Sequence, residues 1–519
     1  MTEKKHISFL FLCFLFSFWN ANSQYKVLYP KNEFRAVWIA TVVNIDWPKA
    51  GTDSVEKQKA DFIEILDTYK KLNYNAVIVQ IRSVGDAFYP SQLAPWSRFL
   101  TGKEGQAPKP YYDPLAWMID QAHQRGFEFH AWLNPYRATF DTKTETLSKE
   151  HDFFKHRDWM IKYGEPGKEK YYYNPALPEV QSHLTAVVEE VVRNYDIDAI
   201  HFDDYFYPYR VIGKEFNDTA SFKKYSYQQS LEDWRRSNVN TFVKNIYFSI
   251  KRIKPWVQFG ISPFGVWRNK SVDPKGSDTK AGQTNYDDLF ADPIAWMEGK
   301  YIDYMLPQLY WSIDHKTASY SKLIKWWSEN SLNANVYIGN GTYKIKEDSD
   351  KNWYNPSEIP NQIDLTRTYA NIQGNAYFSA KSFVNKNPDV TNLLQENQYK
   401  YPAIPFPVPS SKKFGTERPL INTFTKEGSS YQFSFKKTQS DQIRYIVIYS
   451  VENNLKLDNN DPSEIMDKVF INAKNDAIKL TLSKDKLKNS KKVGFTFIDF
   501  YGNESVPEII YLQTEIKPN

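Results

Sequence analysis

The chain has 519 residues and a formal net charge of +5, from 66 basic and 61 acidic side chains, with 41% hydrophobic and 24% charged residues. That composition is neither disordered nor collagen-like, and a small charge excess spread over so long a chain gives no dedicated nucleic-acid surface. The length suits one large barrel plus a smaller module, and 34 Phe, 36 Tyr and 15 Trp supply flat faces that serve a packed core or a sugar ring equally well.

The N-terminus reads as an export signal. Lys4 and Lys5 precede an apolar run from Ile7 to Trp19, and Ala21-Asn22-Ser23 supplies small residues for cleavage before Gln24. The run is too short to span a bilayer. The one cysteine, Cys13, lies inside it and is followed by Phe14, a poor context for lipid attachment. The mature chain, residues 24 onward, is therefore expected to be exported to the periplasm or beyond, with no disulfide, thiol nucleophile or thiolate metal site and no transmembrane segment.

From Phe34 to about Asn397, apolar strand-like runs alternate with helical patterns. Strands are predicted at Arg35–Thr41, Ala76–Arg82, Phe127–Asn134, Asp198–Asp203, Gln258–Ser262, Ile302–Gln308, Val336–Gly339 and Ala376–Ser379. Helices are predicted at Val55–Leu72, Pro114–Gln124, Pro178–Asn194 and Ser321–Asn330. This α/β pattern predicts a (β/α)8 TIM barrel over residues 24–400. An open doubly wound sheet is disfavoured, because no glycine-rich phosphate loop follows the first strand.

Polar residues gather at the predicted strand ends, which share one face in such a barrel. They are Asp46 after the first strand, Arg82 and Asp86 after the second, Asn134, Tyr136 and Arg137 after the third, and Asp203 and Asp204 after the fourth. Gln308, Tyr310 and Trp311 follow the sixth strand and Asn340 the seventh. Two long aromatic loops join this face, Pro135–Asn174 and the segment holding Tyr205 to Tyr209. Trp38 and Trp311 are expected to offer stacking surfaces.

A proline-rich stretch, Tyr401–Pro409, reads as the stiff part of a linker over residues 401–412. Beyond it, residues 413–519 change to short alternating strands separated by turns, an all-β sandwich resembling a fibronectin type III domain, most clearly in Tyr445–Tyr449 and Phe495–Ser505. The module is expected to be accessory, because it lacks a cluster of catalytic carboxyls.

Arg35-Ala-Val-Trp-Ile-Ala40 with Asn44-Ile-Asp-Trp-Pro48 resembles the opening of the glycosyl-hydrolase-like family ten. Gln80-Ile-Arg82 with Gly85-Asp86-Ala87, His130-Ala-Trp-Leu-Asn-Pro135, and Asp198 through Pro208 agree in order and spacing. The resemblance covers about residues 30–400. It implies a (β/α)8 fold and a polysaccharide substrate. A family member cuts peptidoglycan glycan strands, so N-acetylated amino-sugar polymers lead the candidates.

The residues themselves point toward glycoside hydrolysis, which needs a proton donor and a group stabilising an oxocarbenium-like centre. No strand-end Glu is seen on strands four to eight, which weakens a two-glutamate scheme. Adjacent Asp203 and Asp204 resemble the pair of substrate-assisted N-acetylhexosaminidases. By that analogy Asp203 polarises the substrate's acetamido group, Asp204 is the acid and base, and Asp86 is a reserve acid. Alternation along the fourth strand sends His201 and Asp203 toward the barrel axis. His130 and His201 are read as interior, packed histidines, so no metal site and no cofactor are expected. The rival readings are a non-catalytic glycan-binding protein and a metal-dependent polysaccharide deacetylase. Oligomeric state is left open.

Overall fold

A computed structural model describes residues 29–409, 418–436, 443–451, 457–471, 478–487 and 490–512. The predicted export signal and Cys13 lie outside the described residues, as do residues 410–412 of the predicted linker.

Eight parallel strands close into a barrel: β1 (Phe34–Ile39), β2 (Ala76–Arg82), β3 (Glu128–Leu133), and, past a hairpin of β4 (Met160–Tyr163) and β5 (Lys170–Tyr173), β6 (Ala199–Phe202), β7 (Gln258–Ile261), β8 (Tyr304–Met305), β9 (Asn335–Asn340) and β10 (Ile372–Tyr377). Each barrel strand pairs with its neighbour in chain order, and β10 closes on β1. Helices such as Pro178–Asn194 and Leu231–Ile253 wrap the outside. The first starts with Pro at its first turn and buries Val180, Leu184, Val187, Val188 and Val191 at helical spacing.

Every strand is buried on both faces, so alternation sorts its side chains into two cores. Val37, Ile39, Val77, Val79, Phe129, Ala131, Ile200, Phe202, Val336 and Ile338 face the helices. Phe34, Ala36, Trp38, Ala76, Ile78, Trp132, Ala199, Tyr304 and Tyr337 fill the barrel axis. Tyr304 fits because Gly260 on β7 carries no side chain: a Cβ there would lie 1.9 Å from the tyrosine ring. The Tyr304 hydroxyl bridges the Nδ1 atoms of His130 and His201, 2.9 Å from each. His201 Nε2 meets the Trp38 indole N–H at 3.3 Å and the Ser262 hydroxyl at 3.0 Å. Burial, with His130 adding to it, drives His201 well below its ordinary value, so the ring is neutral.

The C-terminal region forms two antiparallel sheets. One, of three strands, has β11 (Ile421–Glu427) beside β12 (Ser430–Phe435), which pairs with β15 (Ile478–Ser483). The other, of four, runs β14 (Ile465–Phe470), β13 (Ile443–Val451), β16 (Lys492–Asp499), β17 (Glu508–Tyr511). Phe424, Phe433, Phe435, Ile446, Ile448 and Phe495 fill the core between them.

This module docks on the end of the barrel where the strands begin. Arg444 bonds Asp196 at 2.7 Å and Asp198 at 2.9 Å, and Asp198 also holds His123 at 2.8 Å. Tyr445 donates to the Phe127 carbonyl, and Phe470 stacks on His123. The segment Tyr401–Pro409 is a strap laid across that end. Ile404 pairs with the backbone of Lys31 and Glu33, Arg35 donates to the Tyr401 carbonyl, and Asn335 donates to that of Pro407. The segment packs on the barrel instead of spacing the module away from it.

Candidate active site

A cleft of about 290 Å³ opens at the other end of the barrel, where the strands finish. Its wall draws on Trp38, Ala40, Val42 and Ile45 after β1, Gln80 on β2, Trp132, Asn134 and Arg137 on and after β3, Asp203 to Tyr205 and Tyr209 after β6, Gln308 and Tyr310 after β8, and Tyr343 and Phe378 after β9 and β10. Eight of the fourteen residues expected from sequence meet there: Trp38, Asn134, Arg137, Asp203, Asp204, Tyr205, Gln308 and Tyr310.

Asp203 continues the inward face of β6, two residues beyond His201. Its Oδ1 accepts from the Gln308 amide at 2.8 Å and from the Asp204 backbone N–H at 2.8 Å. Gln308 is fixed in turn by its bond to the Ser262 carbonyl at 3.0 Å. Asp204 is buried, hydrogen-bonded to the Asp203 carboxyl, and accepts from the Tyr209 hydroxyl. Burial raises both carboxyls. For Asp203 the bonds from Asp204 and Gln308 and the charge of Arg137 oppose it, whereas the Asp203 charge pushes Asp204 further up. Two carboxyls in contact cannot both ionise cheaply, and these surroundings favour the proton on Asp204 over Asp203.

The floor is aromatic. Tyr310 stacks with Phe378 at 6.1 Å and meets Tyr343 edge-on at 5.8 Å, while Trp38 and Trp132 each meet Phe378 edge-on. Trp132 donates to Asn134 Oδ1 at 2.8 Å, and Asn134 donates to the Ser83 carbonyl at 3.3 Å, so the amide is held from both sides.

The other six expected residues lie elsewhere. Asp46 is a tie: it accepts from Ala40 N–H, Ser379 hydroxyl and Lys381 N–H, joining the ends of β1 and β10, and burial pushes it up to about 6 against those bonds. Arg82 leaves the axis because the β2–β3 register slips between Gln80 and Arg82, setting Arg82 opposite the outward Leu133; its guanidinium reaches the Asp86 carbonyl and Tyr173 hydroxyl. Asp86 is buried beneath the loop after β2, accepting from Val84 N–H, and does not line the cleft, so its role as reserve acid is withdrawn. Tyr136 is buried on Phe242 of the helix Leu231–Ile253. Trp311 follows the inward Tyr310 and so packs in the outer layer, edge-on to Phe264. Asn340 has outward parity on β9 and bonds Gln362 and Asn375.

Sequence reading missed Gln80, Trp132, Tyr343 and Phe378, and placed Tyr209 only within an aromatic loop on this face. Strand parity was the available signal for Gln80, Trp132 and Phe378. Gln80 accepts from Thr41 and Val42 N–H, holding open the chain leaving β1. Tyr209 and Tyr343 sit on loops, where periodicity gives no direction. Among the described residues, no three His, Cys, Asp or Glu side chains group to hold a metal ion, and no helix is long and apolar enough to cross a membrane.

Residues 33–355 match the family described as glycosyl hydrolase-like 10. The chain is 45% identical over 430 residues to the glycosyl hydrolase YngK of Bacillus subtilis strain 168, covering 81% of this chain and 83% of that one. It is 37% identical over 376 residues to the glycosyl hydrolase DigH of Escherichia coli K12, covering 68% and 84%. Among solved structures, the PgaB (BpsB) glycoside hydrolase domain of Bordetella bronchiseptica aligns with a TM-score of 0.49 and 11% identity, over 70% of this chain and 98% of that domain.

Proposed function

This chain belongs to the glycosyl hydrolase-like 10 family, and on that footing we propose that it hydrolyses N-acetylated amino-sugar polymers, such as peptide-free peptidoglycan strands, through Asp203 and Asp204. The observation that carries the reading is the pair of adjacent carboxyls lining the cleft, hydrogen-bonded to each other and both raised by burial, Asp204 further by the charge of Asp203. Glycosidic cleavage needs a proton donor beside an ionised group, which such a pair can supply.

The acetamido oxygen of the bound sugar attacks its own anomeric carbon while the bond to the leaving sugar breaks. Asp204 gives its proton to the departing oxygen. Asp203, held by Gln308, orients the acetamido group and offsets the positive charge that spreads over the resulting ring. Water then attacks the anomeric carbon, returns a proton to Asp204, and regenerates the acetamide. Two displacements at one carbon give net retention. Trp38, Tyr310 and Phe378 supply stacking faces, and Asn134 supplies an oriented amide.

The C-terminal sandwich is read as fibronectin type III-like, supported by its three-strand and four-strand sheets. Export from the cytoplasm is part of the same proposal and is supported by the N-terminal signal pattern.

The test compares oligosaccharides that differ only in the 2-acetamido group, with anomeric configuration of the product followed by NMR. Cleavage confined to the acetamido substrate, with retention, is expected. Equal cleavage of the plain sugar removes substrate assistance, and full activity of both Asp203→Asn and Asp204→Asn removes the reading.

A further inference from the structure

Arg137 is a buried cation that the protein does not pair. Among the described residues, six arginines are buried. Arg35, Arg235, Arg236 and Arg444 each hold a carboxylate at 2.6–2.9 Å, and Arg82 donates to a carbonyl and a tyrosine hydroxyl. Arg137 lines the cleft, its guanidinium carbon 3.9 Å above the Tyr205 ring, with no carboxylate at ion-pair distance among the described residues. Its Nε is buried and has no hydrogen-bond partner. The Tyr205 hydroxyl meets the guanidinium, but the buried Nε is left without a partner, which costs free energy unless a ligand fills it.

A second cation flanks the first. The backbone of Arg137 bridges to Tyr172 on β5, and Lys170 lies two residues along the same face of that strand. Lys170 makes no ion pair among the described residues and rests near the Phe140 ring. Burial, with Arg137 next, pushes its amine down to about 8. Asp203 bears on Arg137 and Asp141 on Lys170, neither at ion-pair distance, so the wall can receive an anion.

We infer that Arg137 is the residue that reads a carboxylate carried by the glycan. This rests on the glycosidase reading of the same cleft. The carboxylate could stand on an ether side chain, as in the lactyl group of peptidoglycan strands, or on the sugar ring, as in a uronic acid. A planar carboxylate accepts two parallel N–H bonds from the guanidinium edge. A neutral glycan leaves that edge unpaired, and a site built for a partner rejects the analogue lacking it.

The experiment uses the full chain and four oligosaccharides of equal length: peptide-free peptidoglycan strands, the same strands with the carboxylate reduced to an alcohol, hyaluronan, and chitin. The ratio of kcat/KM between the carboxylated and reduced strands is expected to be at least about thirtyfold. Arg137→Ala should bring that ratio near one, and Arg137→Lys should leave an intermediate value. A preference for hyaluronan over the lactyl-bearing strands would place the carboxylate on the ring. Equal turnover of carboxylated and reduced strands by the unaltered protein overturns the inference, as does an Arg137→Ala variant that keeps the full ratio; both leave the glycosidase reading standing. If no substrate is cut, that reading fails instead. Calorimetric binding of the carboxylated and reduced strands to Asp204→Asn, with and without Arg137→Ala, then decides the inference by the same ratio in Kd.

Discussion

β6 carries an aspartate at each end, and the two ends treat it in opposite ways. At the start of the strand, Asp198 is buried, which alone raises a carboxyl, but Arg444 and His123 outweigh that and hold it well below the usual carboxylate range. At the finish, Asp204 is buried and Asp203 half-buried, with no cation at ion-pair distance among the described residues, and both are raised. The first is a charge the fold has neutralised. The second is an electrostatic cost that the fold leaves standing. Within one strand the difference separates a joint from a reaction centre, because perturbed and uncompensated carboxyls are what acid–base chemistry uses.

The comparison is broken most directly at the cleft. Asp203→Asn or Asp204→Asn should lower kcat by about 10²–10⁴-fold, with the thermal midpoint unchanged or raised, since a like-charge contact is relieved. A variant that loses stability but not turnover would make this end of β6 another joint.

The next largest effect belongs to the other end. Arg444→Ala strands Asp198 without its main partner and should cost about 3–5 kcal/mol of stability, while kcat per folded molecule stays within about twofold. pH sharpens this further. Asp198 is depressed in the folded state, so its contribution is present above the unfolded value near ~3.9 and is lost as pH falls through the lower folded value. The thermal midpoint of the unaltered protein should therefore fall as pH drops below that unfolded value, and its lead over Arg444→Ala should narrow with it. At the cleft the shift is upward. The alkaline limb of kcat/KM, which reports loss of the Asp204 proton, should therefore lie above the ordinary carboxylate range.

Smaller effects test the supports of the pair. Gln308→Ala frees Asp203 from its amide and should cost about tenfold in kcat, in line with one charge-assisted bond of ~1.5 kcal/mol. Asn134→Ala should raise KM with circular dichroism unchanged. Tyr209→Phe should matter least: the hydroxyl bond lowers Asp204, so its loss should move the alkaline limb upward by less than about one pH unit, and a downward move would reverse the assigned role.

The barrel was legible in the sequence, and the expected site residues that lie elsewhere do so for several physical reasons. Strand alternation was applied to β6, and it gave His201 and Asp203 their inward places. Applied to β8 and β9, the same rule separates Gln308 and Tyr310, which line the cleft, from Trp311 and Asn340, which face the helices. Arg82 fails for a different reason, since an irregular register flips its face and no composition or period announces such a slip. Tyr136 and Asp46 lie past their strands, where the chain has turned and parity has no meaning. Asp86 belonged to a motif whose spacing says nothing about depth. The docking of the sandwich was invisible as well, because Arg444 and Asp198 are 246 residues apart and neither is unusual in its own segment.

The strap has a consequence for the order in which the molecule is made. Arg35, at the head of β1, donates to the carbonyl of Tyr401, 366 residues downstream, at 2.7 Å. At ~5–20 residues per second of synthesis, that partner emerges about 20–70 seconds after β1. For most of that interval the first strand also lacks β10, its neighbour across the closing seam. The nascent barrel therefore waits as an open curl with an unpaired apolar edge, and its last stitch comes from a segment that belongs to none of its eight strands. The stretch between barrel and sandwich acts less as a tether than as the drawstring that completes the fold.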